Sequence, residues 1–153
     1  MTDTTANAVA AEIIAANRYM TLATADADGR PWASPVYYAA AAPGEFLWVS
    51  RPGSRHSHNV AARPELGIAI FDSQVAIGTG QAVYAEAVAE QLAGEELARG
   101  IAAFSRVSQA HGAPPWSAAD VQPPAELRLY RATVRSCWVL EPGGRDIRVP
   151  VTL

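Results

Sequence analysis

Apolar residues recur along this chain in short alternating runs, cut by glycine, proline and acidic turns, a pattern that predicts strands more often than helices. Residues 19–25 (YMTLATA) form the first such run, and Asp26-Ala27-Asp28-Gly29 is a hairpin signal that leads into a second strand over 32–40. Pro35 inside that strand has no N–H to donate. It therefore implies an edge, a bulge, or a stretch where something other than a strand meets the backbone. Residues 41–44 turn the chain into a third strand, 46–50. Arg51-Pro52-Gly53 breaks the sheet, Ser54 is a natural N-cap for a short helix through about residue 62, and Pro64 ends it. Runs at 66–71, 78–89 and 127–140 complete a set of six strands. Two longer helices are predicted. One lies within 1–17, with Val9, Ile13 and Ile14 as its stripe; the other spans 94–112, with Leu97, Ile101, Phe104 and Val107 on one face. A tail over 141–153 follows the Pro142-Gly143-Gly144 turn. The set fits a mainly β (α+β) class, an antiparallel barrel with flanking helices, in one domain over 1–153.

With 153 residues, 50% of them hydrophobic and 18% charged, the chain can build a core. No apolar run approaches the roughly 20 residues a membrane span needs. The 12 basic residues are all arginine, against 15 acidic ones, for a net charge of -3. That balance argues against a general nucleic-acid binder, and the lack of lysine excludes a Schiff-base lysine. Cys137 is the one cysteine, so no disulfide forms within the chain, and its place in an alternating strand reads as a buried small hydrophobe. The N-terminus lacks a basic region and carries Asp3 and Glu12, so a cytoplasmic protein without a signal peptide is expected.

Charge is unevenly placed. Residues 46–64 contain Arg51, Arg55 and Arg63, with His56 and His58, and no acid between Glu45 and Glu65. A helix start exposes unpaired N–H groups and a partial positive charge, and Ser54, Ser57, Arg51 and Arg55 add donors suited to one phosphate monoester. The bland alternative is a solvated basic turn with an ordinary N-cap. His56 and His58 are two apart, so they do not share a helix face, and no metal site is expected. His111, near a helix end, reads as a partner of the helix dipole, Trp116 as a loop anchor, and Asp26 and Asp28 as turn formers.

The stretches LATADADGRPWASPVYY and LWVSRPGSRHSHNVAARPELGIAIFDS resemble the pyridoxamine 5′-phosphate oxidase-like FMN-binding split barrels. The likeness implies a six-stranded antiparallel split β-barrel and a homodimer whose two cofactor sites lie at the subunit boundary. It implies an FMN-dependent oxidoreductase acting on a small molecule, with no catalytic side chain of its own. Ser54, Arg55 and His56 would contact the FMN phosphate, helped by Arg51; His56 stands where the family commonly has lysine. Trp32, Ala33, Ser34, Pro35 and Val36 would lie along the isoalloxazine edge, with Trp48 and Ser50 framing the ring or ribityl chain. Gln74 would reach the flavin of the partner subunit. Trp138 would close the site, with Arg145 or Arg148 near the reduced ring. The tail Arg145-Asp146-Ile147-Arg148 lacks the Arg-x-His element of true pyridoxamine phosphate oxidases, so substrate identity is not inherited.

Two other readings share the barrel. A deazaflavin coenzyme, with its longer anionic tail, would need a basic groove running from Arg55 toward Arg63. A non-catalytic flavin- or haem-binding module would need, for haem, an axial ligand among His56, His58 and His111, and no motif selects one.

Overall fold

A computed structural model describes residues 4–153; the first three residues of the predicted 1–17 helical segment, Asp3 among them, lie outside the described residues. Helix α1 (Thr4–Ala16) leads into strand β1 (Tyr19–Ala25), followed by β2 (Pro31–Tyr37), β3 (Ala39–Ala42) and β4 (Glu45–Ser50). Helix α2 (Arg55–Ala62), strands β5 (Glu65–Phe71) and β6 (Ala82–Gln91), and helix α3 (Gly94–Ala110) come next. A 3-10 turn at Ala118–Val121, then β7 (Arg128–Leu140) and β8 (Arg148–Val151), complete the order. The strands form one eight-stranded sheet, β2-β1-β5-β6-β7-β4-β3, with β8 added to β7. Each pairing is antiparallel. The mainly β, half-barrel architecture with flanking helices is the one expected, but with eight strands rather than six.

The two extra strands have local causes. The expected strand 32–40 is two, because the chain changes partner at Tyr38: β2 pairs with β1, whereas Ala39 pairs with Leu47 of β4. Tyr38 turns inward at that corner and its hydroxyl donates to the Ile14 carbonyl of α1 at 2.6 Å. The other strand comes from the tail. β7 is long enough for its first half to pair with β4 and its second half with β8. Several element ends also differ from the expected ones, two of them at glycines. β6 starts at Ala82 rather than 78, after a turn at Gly78 (φ 84), and α3 stops at Ala110, just before Gly112 (φ 92).

Alternation sorts the side chains. Met20, Leu22, Phe46, Trp48, Ile68, Ile70, Val83 and Val139 point into the barrel, where Ala6 and Ala10 of α1 meet them. β4 is buried on both faces, since Leu47 packs outward with Leu97, Ile101 and Phe104 of α3. This explains the unbroken FLWV run, which is typical of strands covered on both sides. Gly100 allows the close approach of α3: a Cβ there would lie 2.8 Å from Leu92 Cδ1 and 3.0 Å from Leu129 Cδ2. The outer face of the other strands is uncovered. One row across it reads Pro35, Thr21, Ala69, Tyr84, Trp138, Pro150, strand to strand. Tyr19 and Phe71, on the same sheet, are 63% and 52% exposed. Among the described residues no helix is long and apolar enough to cross a membrane.

Trp48 is fully buried and stacks on Tyr130 with centroids 5.5 Å apart. Inward parity on β4 places it in the core of the barrel. Trp48→Ala is expected to cost about 3–5 kcal/mol, as for other buried large aromatics. Trp48→Phe should cost less, because it also removes an indole N–H that has no partner. Denaturant midpoints of the two variants check this.

Candidate functional site

The basic segment of the sequence becomes the junction between the end of β4 and the start of α2. Ser54 caps the helix, its Oγ accepting from the Ser57 N–H at 3.4 Å. The same hydroxyl lies 2.9 Å from the Arg51 carbonyl, 2.8 Å from Ser57 Oγ and 3.2 Å from His56 Nε2. His56 Nε2 also lies 2.7 Å from Ser50 Oγ, at the last inward position of β4. Ser50, His56, Ser54 and Ser57 thus form one connected cluster of hydroxyls around an imidazole. Burial holds the His56 imidazolium below its ordinary value of 6.5, so the ring is neutral at pH 7. The first N–H groups of α2 have no acceptor inside the helix.

The three arginines of the segment separate. Arg55 stands over the Trp32 ring, 4.3 Å from its centroid, which parks the guanidinium between α2 and β2. Arg51 turns outward to Glu126, at 2.8 Å. Arg63 follows the end of α2 and donates to the Ala27 carbonyl in the β1–β2 turn at 3.0 Å. Only Arg55 therefore keeps its charge beside the helix start and β2.

β2 is an edge of the sheet, one of the three arrangements that Pro35 left open. Tyr38 N–H donates to Arg18 O at 3.1 Å and Asp26 N–H to Arg30 O at 3.0 Å, one beyond each end of the β1–β2 ladder. Those bonds make the even positions of β2 the hydrogen-bonded pairs. The backbone groups of Trp32, Ser34 and Val36 are thus spent on β1, and the Val36 side chain is in the core. The backbone groups of Ala33 and the carbonyl of Pro35 face the open edge. Within the expected stretch 32–36, the open backbone groups are therefore those of Ala33 and Pro35.

Other expected residues lie apart from this junction. Gln74 sits in the exposed loop after β5, at the far end of that strand from α2. Trp138 is half-buried on the outer face, between Tyr84 and Pro150. Arg145 pairs with Glu141, and Arg148 pairs with Asp146 while lying over the Tyr84 ring, so both charges are compensated. Cys137 is buried and its thiol is pushed up to about 11 by burial.

Two residues were missed by sequence reasoning. Asn59 Nδ2 donates to Thr24 Oγ1 at 3.0 Å, and that hydroxyl donates to the Trp32 carbonyl at 3.4 Å, both side chains being buried. This relay fastens α2 to β1 and β2. The signal was there: Asn59 follows His56 at i+3 and precedes Val60, the spacing of one helix face. A separate cavity of about 510 Å³ lies at the opposite end of β4, bounded by α1, β3 and the end of α3, and includes none of the expected site residues.

Residues 6–138 match the family model for pyridoxamine 5′-phosphate oxidase. No curated protein matches the chain. Among solved structures, a heme-binding protein from Mycobacterium smegmatis is 26% identical with a TM-score of 0.69, the match covering 90% of this chain and 55% of that one. This chain thus spans little more than half that protein's length. HutZ, the heme storage protein from Vibrio cholerae, is 19% identical over 82% of this chain and 87% of its own, with a TM-score of 0.65. An FAD-binding protein from Mesorhizobium loti is 19% identical over 86% and 91%, with a TM-score of 0.66. The last two likenesses show the fold alone.

Because folding lowers the affinity of His56 for a proton, its contribution to stability is present above the unfolded value of 6.5 and is lost as pH falls below it. Thermal midpoints followed from pH 7.5 to 5 should therefore drop, and His56→Asn should flatten that part of the curve.

Proposed function

The chain belongs to the pyridoxamine 5′-phosphate oxidase family, and from that premise we propose that it is an FMN-dependent oxidoreductase working as a homodimer in the cytoplasm on a small molecule. The observation that carries this reading is the convergence of two recognition elements. A hydroxyl-rich, Arg55-flanked helix start lies beside an open strand edge at Ala33 and Pro35. FMN has the matching pair of features, a phosphate at one end and a planar ring with an imide-like edge at the other. Phosphate fits the start of α2, where Ser54 and the backbone of Arg55 and His56 supply donors and Arg55 supplies charge. Arg51 can join by exchanging its exposed Glu126 partner, since surface pairs of this kind are worth about 0–1 kcal/mol. The His56 side chain acts by holding the Ser50 and Ser54 hydroxyls in place, which a lysine there would do with added charge.

Ala33, Ala23 and Gly67 form one row across β2, β1 and β5. They give a floor with nothing beyond Cβ, suited to a flat ring. When bound, the flavin supplies the electron-transfer chemistry. The chain's own residues bind the phosphate, orient the ring and exclude water, and none is needed as a nucleophile. The uncovered outer row of β2, β1, β5, β6 and β7 is the face a second copy would bury. Gln74, whose loop also exposes Val75 and Ile77, and Trp138 would then complete the site across the boundary. A deazaflavin tail running toward Arg63 is disfavoured, since that guanidinium is bonded to the β1–β2 turn.

A second ligand, haem, is favoured by the similarity to the Mycobacterium smegmatis heme-binding protein.

Fluorescence titration with FMN tests the leading reading. Arg55→Ala should weaken binding by about 1.5–3 kcal/mol, the range for a lost charge-assisted contact; unchanged affinity would put the phosphate elsewhere. Phe71→Asp should give a monomer by sedimentation and lower FMN affinity with it. A dimeric Phe71→Asp protein would remove the outer face as the interface.

A further inference from the structure

His56 sits buried in the first turn of α2, with Nε2 2.7 Å from Ser50 Oγ and 3.2 Å from the Oγ of the Ser54 cap. A neutral ring meets that geometry with Nε2 as acceptor, so a serine proton is spent on the imidazole. A protonated ring reverses the direction. Nε2–H then donates, the serine oxygens accept, and the Ser54 hydroxyl is left to turn its proton toward an anion. Two effects oppose the protonated form in the free protein. Burial strips water from the charge, and the positive end of α2 lies alongside. A phosphate dianion at the same helix start cancels the second and supplies a counter-charge against the first.

The other charged groups around this junction are engaged elsewhere or face away. Ahead of the helix, Arg51 meets Glu126 at 2.8 Å. On α2 itself, Arg55 lies over Trp32 of β2, and His58 is exposed, two positions on and so off the His56 face. On β7, Arg128 stands opposite Ser50 and donates to the carbonyls of Ala125 and Leu127. β1 presents Thr24, which is bonded to Asn59, and the inward side chains of β6 are valine and alanine. In the β1–β2 turn, the Asp26 carboxylate accepts from the N–H groups of Asp28 and Arg30, and Arg63 donates to the Ala27 carbonyl. Among the described residues no carboxylate is bonded to His56, so the anionic charge that decides its protonation comes with the ligand.

We propose that the site takes up a proton together with its phosphate ligand, the proton going to His56 Nε2, so that FMN is held by an imidazolium as well as by Arg55. The inference rests on the flavin reading above. One proton passes from solvent to the ring nitrogen, and no other bond changes. Calorimetric titration of the full chain with FMN at pH 7, in buffers of different ionisation enthalpy, measures that proton. Wild type should take up proton that His56→Asn and His56→Lys do not, and riboflavin, which lacks the phosphate, should show no such difference. Between about pH 8 and 6.5, wild-type affinity for FMN should gain about two- to twentyfold over that of His56→Asn, the effect of an opposite charge within about 4–6 Å of the ring. The imidazole resonance of His56, titrated by NMR in the wild type, should move its midpoint upward when FMN is saturating. Equal proton uptake by wild type and both variants, or a midpoint that FMN leaves in place, overturns the inference and leaves the FMN reading standing. A wild type that binds no FMN overturns both.

Discussion

Helix α2 docks with its buried polar side chains bonded to two different strands, and the phosphate end of the proposed site depends on that docking. His56 and Asn59 lie on its inner face, where an unpaired imidazole or amide would cost about 1–3 kcal/mol. His56 finds Ser50 at the end of β4, and Asn59 finds Thr24 on β1. These two contacts lie one helical turn apart and bind different strands, so they fix both the position and the rotation of the helix. The Ser54 cap then faces outward and Arg55 meets Trp32. A purely apolar inner face would leave the helix freer to rotate, and with it the donors at its start.

That same docking decides how much of the local positive charge is useful. Read along the chain, residues 46–64 look like a uniform basic cluster. In the fold, Arg63 is a strap to the β1–β2 turn and Arg51 faces Glu126 from the connection before β7. Glu126 is far away in sequence, and only the antiparallel pairing of Ser50 with Arg128 brings it near. Charge counting in a window has no access to such a partner. The helix cap, by contrast, is a property of four consecutive residues, and Ser54 sits where local rules put it.

The same division runs through the sheet. Strands whose alternation is decided by one buried face, such as β1 and β5, were legible to within a residue. Pro35 narrowed its strand to an edge, a bulge or a stretch facing something else, because the missing N–H is a backbone fact that no tertiary contact can repair. The break at Tyr38 was hidden, since the run from 32 to 40 stays apolar while the chain changes partner. The side to which Trp48 points was hidden for a related reason: on a strand buried on both faces, parity does not say which face meets the barrel interior and which meets α3. The β8 pairing was out of reach because β7 spends half its length on one neighbour and half on another.

β2 joins the two ends of the molecule. Its free edge is the feature that lets Ala33 and Pro35 meet a ligand near α2. Its last residue, Tyr37, is the hydrogen-bond partner of His111 at the other end. Both follow from the strand having a neighbour on one side alone. An edge leaves backbone groups unspent, and the chain that departs from it at Tyr38 does not continue along the sheet. It opens the space between α1 and β3 that alanines fail to fill. The split in this barrel is thus what leaves the β2 edge open beside α2, and the short side chains of Ala33, Ala23 and Gly67 keep the adjoining face flat.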